Sequence, residues 1–138
     1  MNYMGARAAL KQYKQVDAHS MVEGASPHRI IQMLMEGALE KMGMARGFMV
    51  EGHLGPKAEH ITWAISIIDG LRVSLDKEKG GDIARNLEDL YDYMVRRLVE
   101  ANLKNEPAIL DEVMDLLKQI KEAWDAIAAQ EKPVSGGA

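Results

Sequence analysis

The side chains best suited to bind a transition metal are the four histidines, His19, His28, His53 and His60. A di-iron site in a helical bundle needs Glu-x-x-His motifs together with further inward-facing glutamates. No glutamate in this sequence has a histidine three residues later. His53 and His60 are the only pair close enough to suggest a shared ion, and solvated or locally hydrogen-bonded side chains explain all four histidines better. The sequence therefore predicts no metal site and no cofactor.

Residues for covalent or phosphoryl-transfer chemistry are absent or lack the required spacing. The chain has no cysteine, which excludes a thiol nucleophile and a disulfide. No glycine is followed by the Lys-Ser or Lys-Thr of a phosphate-binding loop. Ser26, Ser66 and Ser74 have no histidine or acid at a suggestive spacing, although a triad assembled only in space stays open at this point. We expect that the protein is not an enzyme.

Charge and hydropathy exclude two further classes of partner. The formal net charge is −4, whereas nucleic-acid binding depends on lysine and arginine neutralising phosphates. The longest apolar run, "ITWAISII", is far shorter than the ~20 residues that span a bilayer. The N-terminus, "MNYMGARAALKQYK", lacks the continuous apolar core of a secretory signal. These features predict no nucleic-acid ligand, no membrane insertion and a cytoplasmic location.

Four periodic segments, divided by breaker residues, make up most of the chain. The first runs from Ser26, a suitable N-cap before Pro27, to about Val50. The second begins near Pro56 and runs to the "DKEKGGD" turn. The third starts at Asp82, read as an N-cap after two glycines, and the fourth has Pro107 in its first turn. Apolar residues recur at helical spacing in the last three: Ile61, Ala64, Ile65, Ile68, Leu71 and Leu75; Ile83, Leu87, Leu90, Met94, Leu98 and Ala101; Leu110, Val113, Leu117, Ile120, Trp124 and Ile127.

Long helices with short connections place sequence neighbours antiparallel. No segment alternates in the two-residue period of a strand. We therefore predict an all-α protein, an antiparallel up-down four-helix bundle over residues 25–130. An N-terminal arm with a short helix (1–24) precedes the bundle, and a disordered tail (131–138) follows it.

The predicted helices carry more apolar surface than a bundle core covers. In "ASPHRIIQMLMEGAL" the apolar residues sweep roughly 200° of the helical wheel, whereas an amphipathic helix needs a stripe only a little over ~100° wide. The second helix is similar, with Trp63 and Ile67 at the edge of its stripe. The surplus is covered either by the chain itself or by a partner. Both hold if the arm is a displaceable lid over a groove that accepts an amphipathic segment.

A series of short motifs lies between Tyr13 and Trp124: Ala25-Ser26-Pro27, Met33-Leu34, Gly37-Ala38-Leu39, Ser74-Leu75-Asp76, Gly80-Gly81, Ile83-Ala84, Asn86-Leu87, Leu90-Tyr91-Asp92-Tyr93-Met94, Arg97-Leu98, Ala101-Asn102 and Ala123-Trp124. In order and spacing these motifs resemble the flagellar secretion chaperone FliS family. The sequence departs from the family at Met35-Glu36, where Tyr-Asp is usual, and at Gly24, where threonine is commoner.

The resemblance implies a function that physical reasoning alone does not name. Members of the family are antiparallel helical bundles that bind the C-terminal segment of flagellin in the cytosol. They prevent its premature polymerisation and keep it competent for the flagellar type III export gate, which is met transiently with cargo. The alternative is a structural bundle that covers its apolar surface by homo-oligomerisation, as a homodimer for example.

The surplus apolar surface and the resemblance together suggest a binding groove for flagellin. We expect Tyr13, on the arm, to be the lid contact. The predicted groove is formed by seven residues of the second and third helices: Trp63, Ile67, Leu71, Leu87, Leu90, Tyr91 and Met94.

Overall fold

All regular secondary structure in the part of the chain that the structure describes is helical. The computed structural model describes residues 25–136, with side-chain burial for residues 25–127. Its helices are α1 (Pro27–Glu51), α2 (Leu54–Val73), α3 (Lys77–Lys104) and α4 (Pro107–Gly136). No strand occurs between residues 25 and 136, and no helix among the described residues is long and apolar enough to cross a membrane. The all-α prediction is confirmed.

The four helices form a closed ring of neighbours. Helix α1 packs on α2 and α4, and α3 packs on α2 and α4. Connections of a few residues make each consecutive pair antiparallel. The predicted up-down four-helix bundle is therefore confirmed. The predicted arm lies outside the described residues, and α4 includes positions 131–136 of the predicted tail.

Both ends of α1 follow from local chemistry. The Ser26 Oγ accepts a hydrogen bond of 3.1 Å from the backbone N–H of Arg29, and a proline occupies the first turn. At the other end Gly52 has φ 81°. Its N–H donates to the carbonyl of Met49, and the next N–H donates to the carbonyl of Phe48. This Schellman arrangement satisfies carbonyls that the helix end leaves open.

Helix α3 begins earlier than the sequence predicted. Asp76, not Asp82, is the N-cap, and its carboxylate accepts hydrogen bonds of 3.1 Å from the N–H groups of Glu78 and Lys79. The hydrogen bond from Lys79 lowers the pKa of the Asp76 carboxyl. Gly81 (φ 54°, ψ −129°) is not helical, so the glycine pair separates a short first turn from the long part of α3, which starts after the glycines as the sequence predicted.

A single hydrophobic core lies between the four helices. Three residues of the predicted apolar stripes reach the surface: Ile83 is 73% exposed, Leu90 is 37% exposed and Ile127 is 42% exposed. Ile83 and Ile127 lie at the end of the bundle where α3 starts and α4 continues past Trp124, so the apolar periodicity extends beyond the core. The largest fully buried side chains are Ile30, Leu34, Met35, Met42, Ile61, Ile67, Ile68, Leu71, Met94, Leu98 and Leu110.

Polar contacts fix the register of α1 against α4. The Trp124 indole stacks on the His28 ring with a centroid distance of 4.4 Å, and its Nε1–H donates to the His28 carbonyl at 3.0 Å. The Gln32 amide donates to the Asp125 carboxylate at 2.7 Å. These contacts hold the start of α1 beside the later turns of α4.

A buried lysine plays the equivalent role between α2 and α3. The Lys57 Nζ donates to the Asn102 carbonyl at 3.0 Å and to the Asn105 Oδ1 at 3.2 Å. Asn105 is the C-cap of α3, in the left-handed conformation. The ammonium thus satisfies one open backbone carbonyl and the side-chain oxygen of the C-cap at the negative end of the α3 dipole.

Because Ile67 and Tyr91 are buried, each substitution Ile67→Ala and Tyr91→Ala should lower the free energy of unfolding by about 2–5 kcal/mol. Leu103, which is 80% exposed, provides the control, since Leu103→Ala should change stability by less than about 0.5 kcal/mol. Urea titration followed by circular dichroism measures all three. Equal midpoints for the three variants would contradict the core assignment.

Gly81→Ala should lower the free energy of unfolding by about 1–3 kcal/mol, because a side chain at positive φ is strained. Gly47 lies in the interior of α1, where an added Cβ would meet no atom within 4 Å. Gly47→Ala should therefore raise stability by about 0.5–1 kcal/mol. Thermal melts of the two variants should shift in opposite directions, and a shift in the same direction would refute the role given to Gly81.

Candidate partner-binding surface

The bundle places the predicted groove residues in two environments. Four of them, Ile67, Leu71, Tyr91 and Met94, are buried in the shared core. Burial raises the pKa of the Tyr91 phenol, so its hydroxyl stays protonated over the physiological range. A rigid partner cannot contact these four side chains unless the helices separate.

The other three helix residues of the predicted groove reach the surface. Trp63 is 36% exposed and Leu90 is 37% exposed, while Leu87 is half-buried against the core. Tyr13 lies outside the described residues. Among the described residues, the accessible part of the predicted groove therefore consists of Trp63, Leu87 and Leu90.

Trp63 lies on the side of α2 that faces α1. The Lys41 Nζ, on α1, is 3.9 Å from the centroid of its ring, which is within cation–π distance. The Lys41 side chain is buried, so its aliphatic stem adds to the packing between the two helices. One face of the Trp63 ring thus contacts the Lys41 ammonium, while part of the indole remains exposed to solvent.

Further rings continue from Trp63 toward the α1–α2 connection. His60 is 5.9 Å from Trp63 and 5.1 Å from Phe48, and Phe48 is 6.3 Å from His53, measured between ring centroids. We call these four residues the aromatic edge. Phe48 is the only phenylalanine of the chain, yet sequence reasoning missed it, because its partners become neighbours only when α1 and α2 pack.

The histidines of the aromatic edge have local partners. His53 Nε2 is 3.3 Å from a Glu51 carboxylate oxygen, and His60 Nδ1 is 2.8 Å from the Pro56 carbonyl oxygen. Among the described residues, no group of three or more His, Asp or Glu side chains could hold a metal ion. The arrangement is suited to packing with another apolar or aromatic surface.

Leu90 lies on the side of α3 that faces α4. The relative position of these helices is fixed by the Glu112 carboxylate, which accepts hydrogen bonds of 2.7 Å from Arg97 Nε and from the Tyr93 hydroxyl. Those bonds, Arg97 first, lower the pKa of Glu112 and keep it charged at neutral pH. Leu90 lies about two turns before Arg97, on the same helix face.

The structure therefore does not bring Trp63 and Leu90 onto one surface. Trp63 contacts α1, whereas the face of α3 that carries Leu90 contacts α4. In the ring order of the bundle, these are opposite flanks of the α2–α3 pair. The helical wheel gave the angle of each residue on its own helix, but not the neighbouring helix it faces.

Apolar residues near Leu90 extend the exposed surface on its flank. Because α3 and α4 are antiparallel and Arg97 contacts Glu112, residues before Arg97 on α3 lie level with residues equally far after Glu112 on α4. Leu90 therefore lies level with Gln119 and Ile120, and Ile83 lies within one residue of the level of Ile127. We call the apolar residues of this flank the α3–α4 seam: Ile83, Leu87 and Leu90 on α3, and Leu116, Ile120, Ala123 and Ile127 on α4. Leu87, Leu116 and Ile120 are half-buried, while the other four are more exposed.

Comparison with known proteins identifies relatives over nearly the whole chain. The sequence profile of the family described as "Flagellar protein FliS" matches residues 9–131. A flagellar secretion chaperone FliSB of Pseudomonas aeruginosa is 50% identical over 125 residues, which cover 91% of this chain and 99% of that protein.

Two further relatives have the same breadth of coverage. A flagellar secretion chaperone FliS of Salmonella typhimurium is 48% identical over 91% of this chain and 93% of its own length. Another, of Vibrio cholerae, is 46% identical over 88% of this chain and 89% of its own length. With the profile match and the four-helix architecture, these identities show that the chain belongs to the FliS family of flagellar proteins.

Proposed function

We propose that this protein is a cytoplasmic flagellar secretion chaperone that binds the C-terminal segment of flagellin. It prevents premature polymerisation and holds the subunit in a state that the flagellar export gate accepts. The observation that carries the proposal is the profile match over residues 9–131, together with relatives that are named flagellar secretion chaperones. In this function the chain needs no cofactor and no catalytic group.

Exposed apolar side chains on two flanks of the bundle support the proposal physically. A disordered segment that folds on binding buries a large apolar area but loses conformational entropy, so the complex is specific and still releasable. Trp63 provides an aromatic anchor on one flank, and Leu90 provides an aliphatic anchor on the other. An export chaperone requires a cargo that is held firmly and then released.

The size of the cargo segment is compatible with contacts on both flanks. About 40 extended residues reach roughly 130 Å, whereas α2, with 20 residues, is about 30 Å long. One segment can therefore contact Trp63, cross the bundle and contact Leu87 and Leu90. In this proposal Ile67, Leu71, Tyr91 and Met94 support the surface from beneath, and Tyr13 is the lid contact that cargo displaces. The export gate then meets the loaded chaperone transiently.

Isothermal titration should detect saturable one-to-one binding of full-length flagellin from the same organism. Flagellin lacking its last ~40 residues should not bind, because the truncation removes the segment that would form about eleven helical turns. Sedimentation of the free protein at rising concentration is the control for self-association. Binding to neither form of flagellin would refute the chaperone proposal, and a concentration-dependent dimer would then favour the homo-oligomeric bundle.

Trp63→Ala should weaken flagellin binding by at least about thirtyfold, since aromatic anchors typically contribute 2 kcal/mol or more. Its effect on the melting temperature should be smaller than that of Ile67→Ala, because the Trp63 side chain keeps part of its surface in solvent. Titration calorimetry and circular dichroism melts on the same samples separate the two effects. Unchanged affinity in a folded Trp63→Ala variant would remove Trp63 from the binding surface.

A further inference from the structure

The first turn of α3, Lys77–Gly80, lies alongside the long part of the same helix instead of extending its axis. The Lys77 Nζ is 3.0 Å from an oxygen of the Glu88 carboxylate. In a continuous helix, residues eleven positions apart are separated by about 16 Å along the axis, which exceeds the combined reach of these two side chains. The ion pair therefore requires the chain to turn back at Gly81, where φ is 54°. We call Lys77–Gly80 the strap.

Gly80, at the other end of the strap, packs on the long part of α3. A Cβ added at Gly80 would lie 2.7 Å from the Cβ of Ala84, whereas Cβ atoms four residues apart on a continuous helix are about 5–6 Å apart. Ala84 is 3% exposed although it does not belong to the hydrophobic core. Its neighbours Ile83 and Arg85 are both exposed. The strap thus covers Ala84.

The strap continues the direction of α2. Near the end of α2, the Arg72 Nε is 3.7 Å from a carboxylate oxygen of Asp92 on α3. Farther along the chain, Lys77 and then Gly80 meet positions that lie successively closer to the start of the long part of α3. The strap therefore runs antiparallel to α3, as α2 does, and Gly81 forms the corner between them.

Two backbone positions join the strap to the rest of the bundle. Before it, Asp76 has an extended backbone (φ −100°, ψ 96°) and its carboxylate caps the strap. After it, Gly81 can adopt either sign of φ because glycine has no Cβ. The long part of α3 starts with its own acid, Asp82, which is favourable beside the first N–H groups of a helix. The strap can therefore move as a unit without unwinding α3.

The contacts that close the strap are individually weak. The Lys77 side chain is 55% exposed and the Glu88 side chain is 22% exposed. An ion pair at the surface changes an equilibrium by up to about fivefold. The contact between Gly80 and Ala84 covers a single methyl group. Small changes in charge or packing are therefore sufficient to shift the balance between a closed and an open strap.

We propose that the strap is an ionic latch over the start of α3. In the closed state the ion pair between Lys77 and Glu88 holds the strap on Ala84. In the open state the strap rotates about its two flanking residues, and the Ala84 methyl group joins the exposed Ile83 side chain at the surface. The opening needs no ligand, and it increases with ionic strength because salt screens the ion pair.

NMR of the Ala84 methyl group in the full chain measures the opening. Relaxation dispersion reports exchange on the μs–ms timescale, and the NOE between the Gly80 α-protons and this methyl group reports the closed fraction at any exchange rate. Lys77→Glu should raise the open population by about three- to tenfold, because it replaces attraction to Glu88 by repulsion. The charge swap, Lys77→Glu with Glu88→Lys, should restore the wild-type population.

Lys104→Glu is the matched control for the charge reversal. Lys104 is also 55% exposed, and its ion pair with Glu100 is also 3.0 Å long, but it lies at the other end of α3. This variant should change the open population by less than about twofold. Equal populations in Lys77→Glu and Lys104→Glu would overturn the proposal, as would flat dispersion with an undiminished NOE in Lys77→Glu.

Gly80→Ala tests the packing of the strap independently of charge. The added Cβ would lie 2.7 Å from the Cβ of Ala84, so the variant should move the Ala84 methyl resonance fully to its open-state position. Adding Ala84→Gly to this variant restores the space, and an NOE should then join the methyl group of residue 80 to the α-protons of residue 84. Gly47→Ala, whose Cβ meets no atom within 4 Å, should leave the Ala84 resonance in place. An unmoved Ala84 resonance in Gly80→Ala would refute the closed packing.

Salt dependence tests the ionic part of the latch in the unmodified protein. At 1 M salt the Debye length is about 3 Å, so the open population of wild type should rise. In Lys77→Glu the same salt should lower the open population, because it screens repulsion from Glu88. A change of the same sign in both proteins would contradict an ionic latch.

Discussion

The structure depends on one constraint, namely that each long helix must bury an apolar stripe wider than one neighbour can cover. The ring of four helices meets most of this need, because every helix packs on two others around one core. Polar contacts then fix how the stripes meet. Lys57 joins the start of α2 to the end of α3, and Trp124 joins α4 to the start of α1. The residues that remain exposed are set by these registers.

The same registers divide the remaining apolar surface between two flanks. Contact of Lys41 with Trp63 places the indole toward α1, while the Glu112 bridge turns the Leu90 face of α3 toward α4. A compact ligand could contact the apolar surface on only one of these flanks. A long, initially disordered segment can use both, which is consistent with the flagellin cargo that we propose and with the family to which the chain belongs.

Much of the fold could be predicted from sequence because its signals are local. Ser26 before Pro27 and the apolar periodicity marked the helices, and short connections gave the antiparallel order. The start of α3 was less determined, since Asp76 caps a short turn that the sequence did not predict, and the non-helical Gly81 separates this turn from the long part of the helix. The binding surface was harder. Ile67 and Tyr91 lie on wide apolar stripes, and their burial depends on which neighbouring helix packs beside them.

Hydrogen exchange of the free and flagellin-loaded protein tests the central claim most directly, because amide protection reports which turns of the bundle the cargo covers. The account predicts slower exchange around Trp63 on α2 and between Ile83 and Leu90 on α3, with little change at the exposed C-terminal turn of α3 near Leu103. Protection that is unchanged on both flanks at saturating flagellin would contradict it.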